Sequence, residues 1–140
     1  MAQILIVDDA LLTRQTMARL LEHEGYSTAT AANGRDTWAM LYTGTPQLII
    51  LDLMMPQMDG LTFLRLVRNS PHWDELPVLV MSGFTEEDKL VARARKLGVV
   101  DVLSKGASDV DELLKHVRQI VPVLKSQGYV FETVSELLRG

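Results

Sequence analysis

At 140 residues, 47% hydrophobic and 23% charged, the chain has the size and composition of one globular domain with a core of its own. A net charge of −4 speaks against binding by blanketing nucleic-acid phosphates, and the lack of cysteine excludes disulfides, thiolate metal sites and cysteine nucleophiles. No run approaches the roughly 18 apolar residues of a membrane span, and Ile4 to Val7 is too short, with no basic leader, for a signal segment, so a cytoplasmic protein is expected.

Short β-branched runs alternate with longer helical ones, the pattern of an α/β fold with a parallel sheet. The first strand is predicted over residues 3–7 and runs into Asp8-Asp9. A helix over 12–23 follows, with Thr13, Met17, Leu20 and Leu21 at helical spacing. The run STATA at 27–31 is weaker and is expected near a sheet edge; it ends in Ala31-Ala32-Asn33. Asn33-Gly34 turns the chain into a helix over 34–42. The third strand, 48–51, ends in Asp52 and the segment Leu53-Met54-Met55-Pro56. Asp59-Gly60 then introduces a helix over 61–69.

Trp73 sits in the loop PHWDELP and is expected to be partly exposed. The fourth strand, 78–81, ends in Ser82-Gly83. The helix over 86–97 has Thr85 as a candidate N-cap, with Asp88 three residues on, and Gly98 as its stop. The fifth strand, 101–104, ends in Ser104-Lys105. Ser108 with Asp111 repeats the capping pattern ahead of Val110, Leu113, Val117, Ile120 and Val121. Residues 1–121 thus make one domain. After Pro122 the extension 122–140 carries Val130, Val134, Leu137 and Leu138 at helical spacing, expected as a short helix or a linker.

ILIV, LIIL and VLVM are apolar without alternation, as strands must be when helices cover both faces of a sheet. In such sheets ligands bind at the carboxyl ends of the strands. Asp8-Asp9, Asp52, Ser82 and Lys105 all fall there. Clustered carboxylates repel, and a hard divalent cation such as Mg2+ suits an oxygen-only set that leaves room for water and a phosphate. Asp52 at a strand end can act as a nucleophile toward phosphorus and form an acyl phosphate. Ser82 offers a hydroxyl and Lys105 a cation to the phosphoryl oxygens.

The bland alternatives are equally concrete. Asp8-Asp9 could merely cap the following helix, Ser82-Gly83 could be a turn, and Lys105 a surface lysine. Arg93, Arg95 and Lys96 read as a solvated basic face that could also contact a partner. His23, His72 and His116 show no zinc spacing.

The segments ILIVDD, LIILDLMMPQMDG, VLVMSG and VLSK, in this order over residues 1–121, resemble the receiver domains of bacterial two-component response regulators. The resemblance implies a flavodoxin-like, doubly wound five-stranded parallel sheet of order 2-1-3-4-5 with helices on both faces. It implies a phosphoryl group passing to Asp52 from the phosphohistidine of a histidine kinase or histidine phosphotransfer protein. Mg2+ (or Mn2+) would be held directly by Asp9 and Asp52, through water by Asp8, and by the backbone carbonyl of Met54. Ser82 matches the hydroxyl switch residue and Lys105 the phosphate-binding lysine. The implied role is a signalling phosphoacceptor, not a turnover enzyme, that switches an output domain or downstream protein without itself contacting nucleic acid or membrane. The face of the fourth helix, fifth strand and fifth helix is a candidate for pairing two copies, and the sequence does not decide it.

Two positions depart from the family pattern: Val102 stands where an aromatic readout residue is usual, and Gly106 where proline usually follows the lysine. Phe84, close to Ser82, is expected to restrict attacking water and slow loss of the phosphoryl group. Three other readings are weaker. A phosphohydrolase would want a second acid two residues after its nucleophile, where Met54 stands. A phosphate-cofactor binder would want backbone donors in its first loop, where Asp8-Asp9 stand. A degenerate receiver acting by interaction alone has no need of the acids, Ser82 and Lys105.

Overall fold

The computed structural model describes residues 2–53, 59–83, 89–104 and 110–122. The strands are β1 (Ile4–Val7), β2 (Thr28–Ala31), β3 (Leu48–Asp52), β4 (Val78–Ser82) and β5 (Asp101–Ser104). The helices are α1 (Leu11–His23), α2 (Gly34–Leu41), α3 (Gly60–Arg68), α4 (Lys89–Lys96) and α5 (Val110–Ile120). Every strand pair is parallel and the order is β2-β1-β3-β4-β5, the flavodoxin-like order implied by the resemblance. The weak run forms the edge strand β2, half-exposed along most of its length, while β1, β3 and β4 are buried throughout.

Alternation along each strand divides the core in two. Leu5, Val7, Ile49, Leu51, Val78 and Val80 meet Leu41, Phe63, Leu64, Val67, Val91 and Ala94 from α2, α3 and α4. Ile4, Ile6, Leu48, Ile50, Leu79 and Met81 meet Leu21, Leu113, Leu114 and Val117 from α1 and α5. Helices on both faces explain why the central strands carry no polar alternation. Among the described residues no helix is long and apolar enough to cross a membrane.

The caps follow the turn chemistry. Asn33 accepts from the Asp36 N–H at 2.7 Å to start α2, and Asp59 from the Thr62 N–H at 2.8 Å to start α3. Gly98 has a φ of 75°, a left-handed conformation that costs glycine nothing, and it carries the chain from α4 toward β5. The expected caps at Thr85 and Ser108 lie outside the described residues, as does the segment 123–140 with its expected helix or linker.

Trp73 differs from expectation: it is only 6% exposed. The segment after α3 wraps under the amino ends of the strands, where the Trp73 ring meets Trp38 edge-on at 5.1 Å and Tyr42 at 5.2 Å. Its indole N–H donates to Thr45 Oγ1 at 3.1 Å. Nearby, the Arg68 guanidinium donates to the carbonyls of Leu97, Leu76 and Gly98. Burial lowers its pKa from the ordinary arginine value, with Asp74 opposing, but an arginine remains charged.

Candidate functional site

Strand register assembles the acidic site. Val7 of β1 pairs with Leu51 of β3, so the next residues, Asp8 and Asp52, stand at the same level at the carboxyl end of the sheet. Asp52 pairs with Met81 of β4, which places Ser82 one residue further along, level with Ser104 of β5. The ladders reach one residue beyond the expected ends, so Asp52 and Ser82 are held by strand geometry rather than by loops. Both are buried, at 2% and 1% exposure, and Asp8 at 3%; Asp9 is exposed.

One carboxylate oxygen from each of Asp8, Asp9 and Asp52 lies within 4.8 Å of the others. At that separation two like charges repel by about 3 kcal/mol in a surface-like effective dielectric, a cost that a divalent cation would reverse. The donor set is hard, oxygen-only and open on its Asp9 side, so it fits Mg2+ or Mn2+ and not a thiolate- or imidazole-loving metal.

The capping reading for the acid pair does not hold. The N-cap of α1 is Ala10, with no side-chain cap. Asp8 Oδ1 instead accepts from the Ala10 N–H at 2.9 Å, inside the turn itself, while α2 and α3 do use side-chain caps.

Two residues supporting the site were not singled out in the sequence. The Arg14 guanidinium donates to the Asp8 carbonyl at 2.8 Å. Its only signal is a cation one turn into a helix that follows an acidic turn. Gly60, read only as part of a turn, packs against the end of β3. A Cβ there would stand 2.4 Å from the Asp52 carbonyl oxygen and 2.7 Å from the Leu53 Cα. The Gly60 N–H donates to the Leu53 carbonyl at 3.0 Å, so the start of α3 braces the peptide that carries Asp52.

Lys105, Met54, Phe84 and Gly106 lie outside the described residues. Val102 is half-buried and packs on the cluster that includes Val91 and Ala94 of α4. The basic stretch of α4 is exposed at Arg93, Arg95 and Lys96, and Arg95 Nη1 reaches Asp101 Oδ1 at 3.6 Å. His116 Nε2 stands 2.9 Å from the other oxygen of Asp101, joining α5 to β5.

Residues 4–118 match the family model of the response regulator receiver domain. The chain is 41% identical over 115 residues to the Regulator of RpoS of Escherichia coli strain K12, covering 82% of this chain and 33% of that protein. It therefore spans about a third of that curated relative's length. A solved signal receiver domain of a histidine kinase from Syntrophus aciditrophicus is 31% identical, with a TM-score of 0.77 over 89% of this chain and 93% of that one. The response regulator TrrA of Thermotoga maritima, solved in complex with Mg2+-BeF, is 26% identical with a TM-score of 0.73, covering 86% of this chain and all 100% of the other. A register that lines up Asp8 and Asp52 at the mouth of a 2-1-3-4-5 sheet thus has a family to match it: the chain belongs to the response regulator receiver domains of two-component systems.

Proposed function

We propose that Asp52 accepts a phosphoryl group from the phosphohistidine of a partner histidine kinase or phosphotransfer protein, in a Mg2+-dependent step. The observation that carries this reading is the burial of Asp52 at the end of β3, level with Asp8 and within 4.8 Å of both other acids. A carboxylate oxygen of Asp52 forms the new O–P bond as the P–N bond of the donor breaks, and the electron pair returns to the donor imidazole. Asp9, Asp52 and the Met54 backbone carbonyl would hold the cation directly and Asp8 through water, and the bound ion would screen charge between the nucleophile and the phosphoryl oxygens. Ser82 donates its hydroxyl to a phosphoryl oxygen, and Lys105 pairs with another.

The acyl phosphate carries roughly two negative charges at a buried strand end where the carboxylate carried one. Ser82, at the end of β4 and ahead of α4, follows that charge and changes what the domain binds, either an output domain or a separate protein. The protein works as a signalling phosphoacceptor in the cytoplasm. Related TrrA, whose solved complex contains Mg2+-BeF, supports the choice of cation.

The test is intact mass after incubation with Mg2+ and acetyl phosphate. One phosphoryl adduct is expected, absent in Asp52→Asn and absent in EDTA. No adduct with acetyl phosphate, phosphoramidate or a phosphorylated kinase domain would leave an interaction module that works without phosphorylation. Continuous release of phosphate over many turnovers would instead show a phosphohydrolase.

A further inference from the structure

We propose that Arg14 is a positioning residue for the acidic turn, setting Asp8 and Asp9 for the divalent cation; this rests on the metal reading above. Asp8 is gripped from several directions. Its N–H donates to the Ala31 carbonyl of β2 at 3.2 Å, and its Oδ1 accepts from the Ala10 N–H at 2.9 Å. Its carbonyl accepts from Arg14 Nη1 at 2.8 Å. That carbonyl belongs to the peptide linking Asp8 to Asp9, so the guanidinium fixes the plane from which Asp9 departs. The Arg14 N–H also closes the first turn of α1 on the Ala10 carbonyl at 3.0 Å. One residue therefore ties the first helical turn to the acidic turn twice, once by backbone and once by side chain.

The need for such a tie follows from the missing cap. Helices α2 and α3 are registered to their preceding turns by Asn33 and Asp59, whereas α1 has Ala10 and no side-chain cap. Among the described residues, Arg14 adds a side-chain tie between the Asp8–Asp9 peptide and α1 beside the Ala10 contact, and Asp9 is exposed. A planar, permanently charged guanidinium donating to a carbonyl makes a directional, charge-assisted bond that a lysine amine reproduces only in part.

Two effects of Arg14 on the cation oppose each other. As a positive charge near the acids it would weaken Mg2+ binding; as a brace it strengthens it. Residues that orient metal ligands typically govern affinity by roughly tenfold to a hundredfold. Positioning is therefore expected to win.

The experiment measures the Mg2+ dissociation constant of the protein by calorimetry for wild type, Arg14→Ala and Arg14→Lys, with the unfolding midpoint in EDTA beside it. Trp38 and Trp73 lie at the other end of the sheet and report global unfolding. Arg14→Ala is expected to weaken Mg2+ by about tenfold or more, and Arg14→Lys by an intermediate factor. If Arg14→Ala does not fold, Arg14→Lys, which keeps the charge and the stem, decides by the same criterion. An unchanged dissociation constant with a lowered midpoint would show a purely structural residue and overturn the proposal. Tighter Mg2+ binding by Arg14→Ala would show a charge effect and overturn it as well. Wild type that binds no Mg2+ would overturn the metal reading itself, an outcome distinct from both.

Discussion

The two ends of the sheet are built on opposite principles. At the amino ends of the strands, large side chains do the holding: Trp38, Tyr42 and Trp73 meet edge-on, and Arg68 bridges three carbonyls. Among the described residues at the carboxyl ends, contacts run through the backbone. Gly60 lies against the Asp52 carbonyl, Ala10 donates to Asp8, and Arg14 reaches a main-chain oxygen. The acidic end gives up apolar packing and accepts carboxylate repulsion to keep three oxygens together.

The contrast can be broken most severely at the amino end. Trp73→Ala removes a buried ring and its bond to Thr45, and should cost about 4 kcal/mol in denaturant unfolding. Phosphoryl uptake per folded molecule should stay unchanged. Loss of uptake beyond the loss of folded protein would mean that the two ends are coupled.

Gly60→Ala attacks the other end. The added methyl meets backbone atoms that cannot rotate away, so a stability loss of about 3 kcal/mol is expected. Here the adduct yield per folded molecule should fall too, because the peptide displaced is the one bearing Asp52. Wild-type Mg2+ affinity and adduct yield in the Gly60→Ala variant would sink this account of the glycine.

The smallest effect sharpens the comparison. Tyr26 is 3% exposed, and its phenol finds no hydrogen-bond partner among the described residues. Burial raises its pKa above the ordinary 10.0, with Arg118 opposing and Glu24 adding to the rise. The folded state thus keeps the proton longer than the unfolded one. Its contribution is complete below about pH 10 and is lost as pH rises through the higher folded value. Tyr26→Phe should stabilise by about 1 kcal/mol near neutrality and flatten the alkaline decline, read by urea unfolding across roughly pH 8 to 11. A loss of stability at neutral pH would mean that the hydroxyl is satisfied.

Local signals placed the elements well: Asn33 and Asp59 sit beside glycines and do cap helices, and Gly98 does end one. Apolar runs placed Asp8, Asp52 and Ser82 at strand ends, because an uninterrupted run must be buried on both faces and its first polar residue marks the way out. Trp73 was misjudged because loop composition is local, while its burial depends on Trp38 and on Thr45, the latter 28 residues away.

By itself, then, the sequence determined the succession of five strands and five helices and which acids stand at the strand mouths, since periodicity and burial are properties of neighbours along the chain. Tertiary structure alone decided that Val7 pairs with Leu51 and so brings Asp8 level with Asp52, that Gly60 must lack a side chain, and that Arg14 turns back to the Asp8 carbonyl. Those facts depend on register and close approach between segments, which no local pattern encodes.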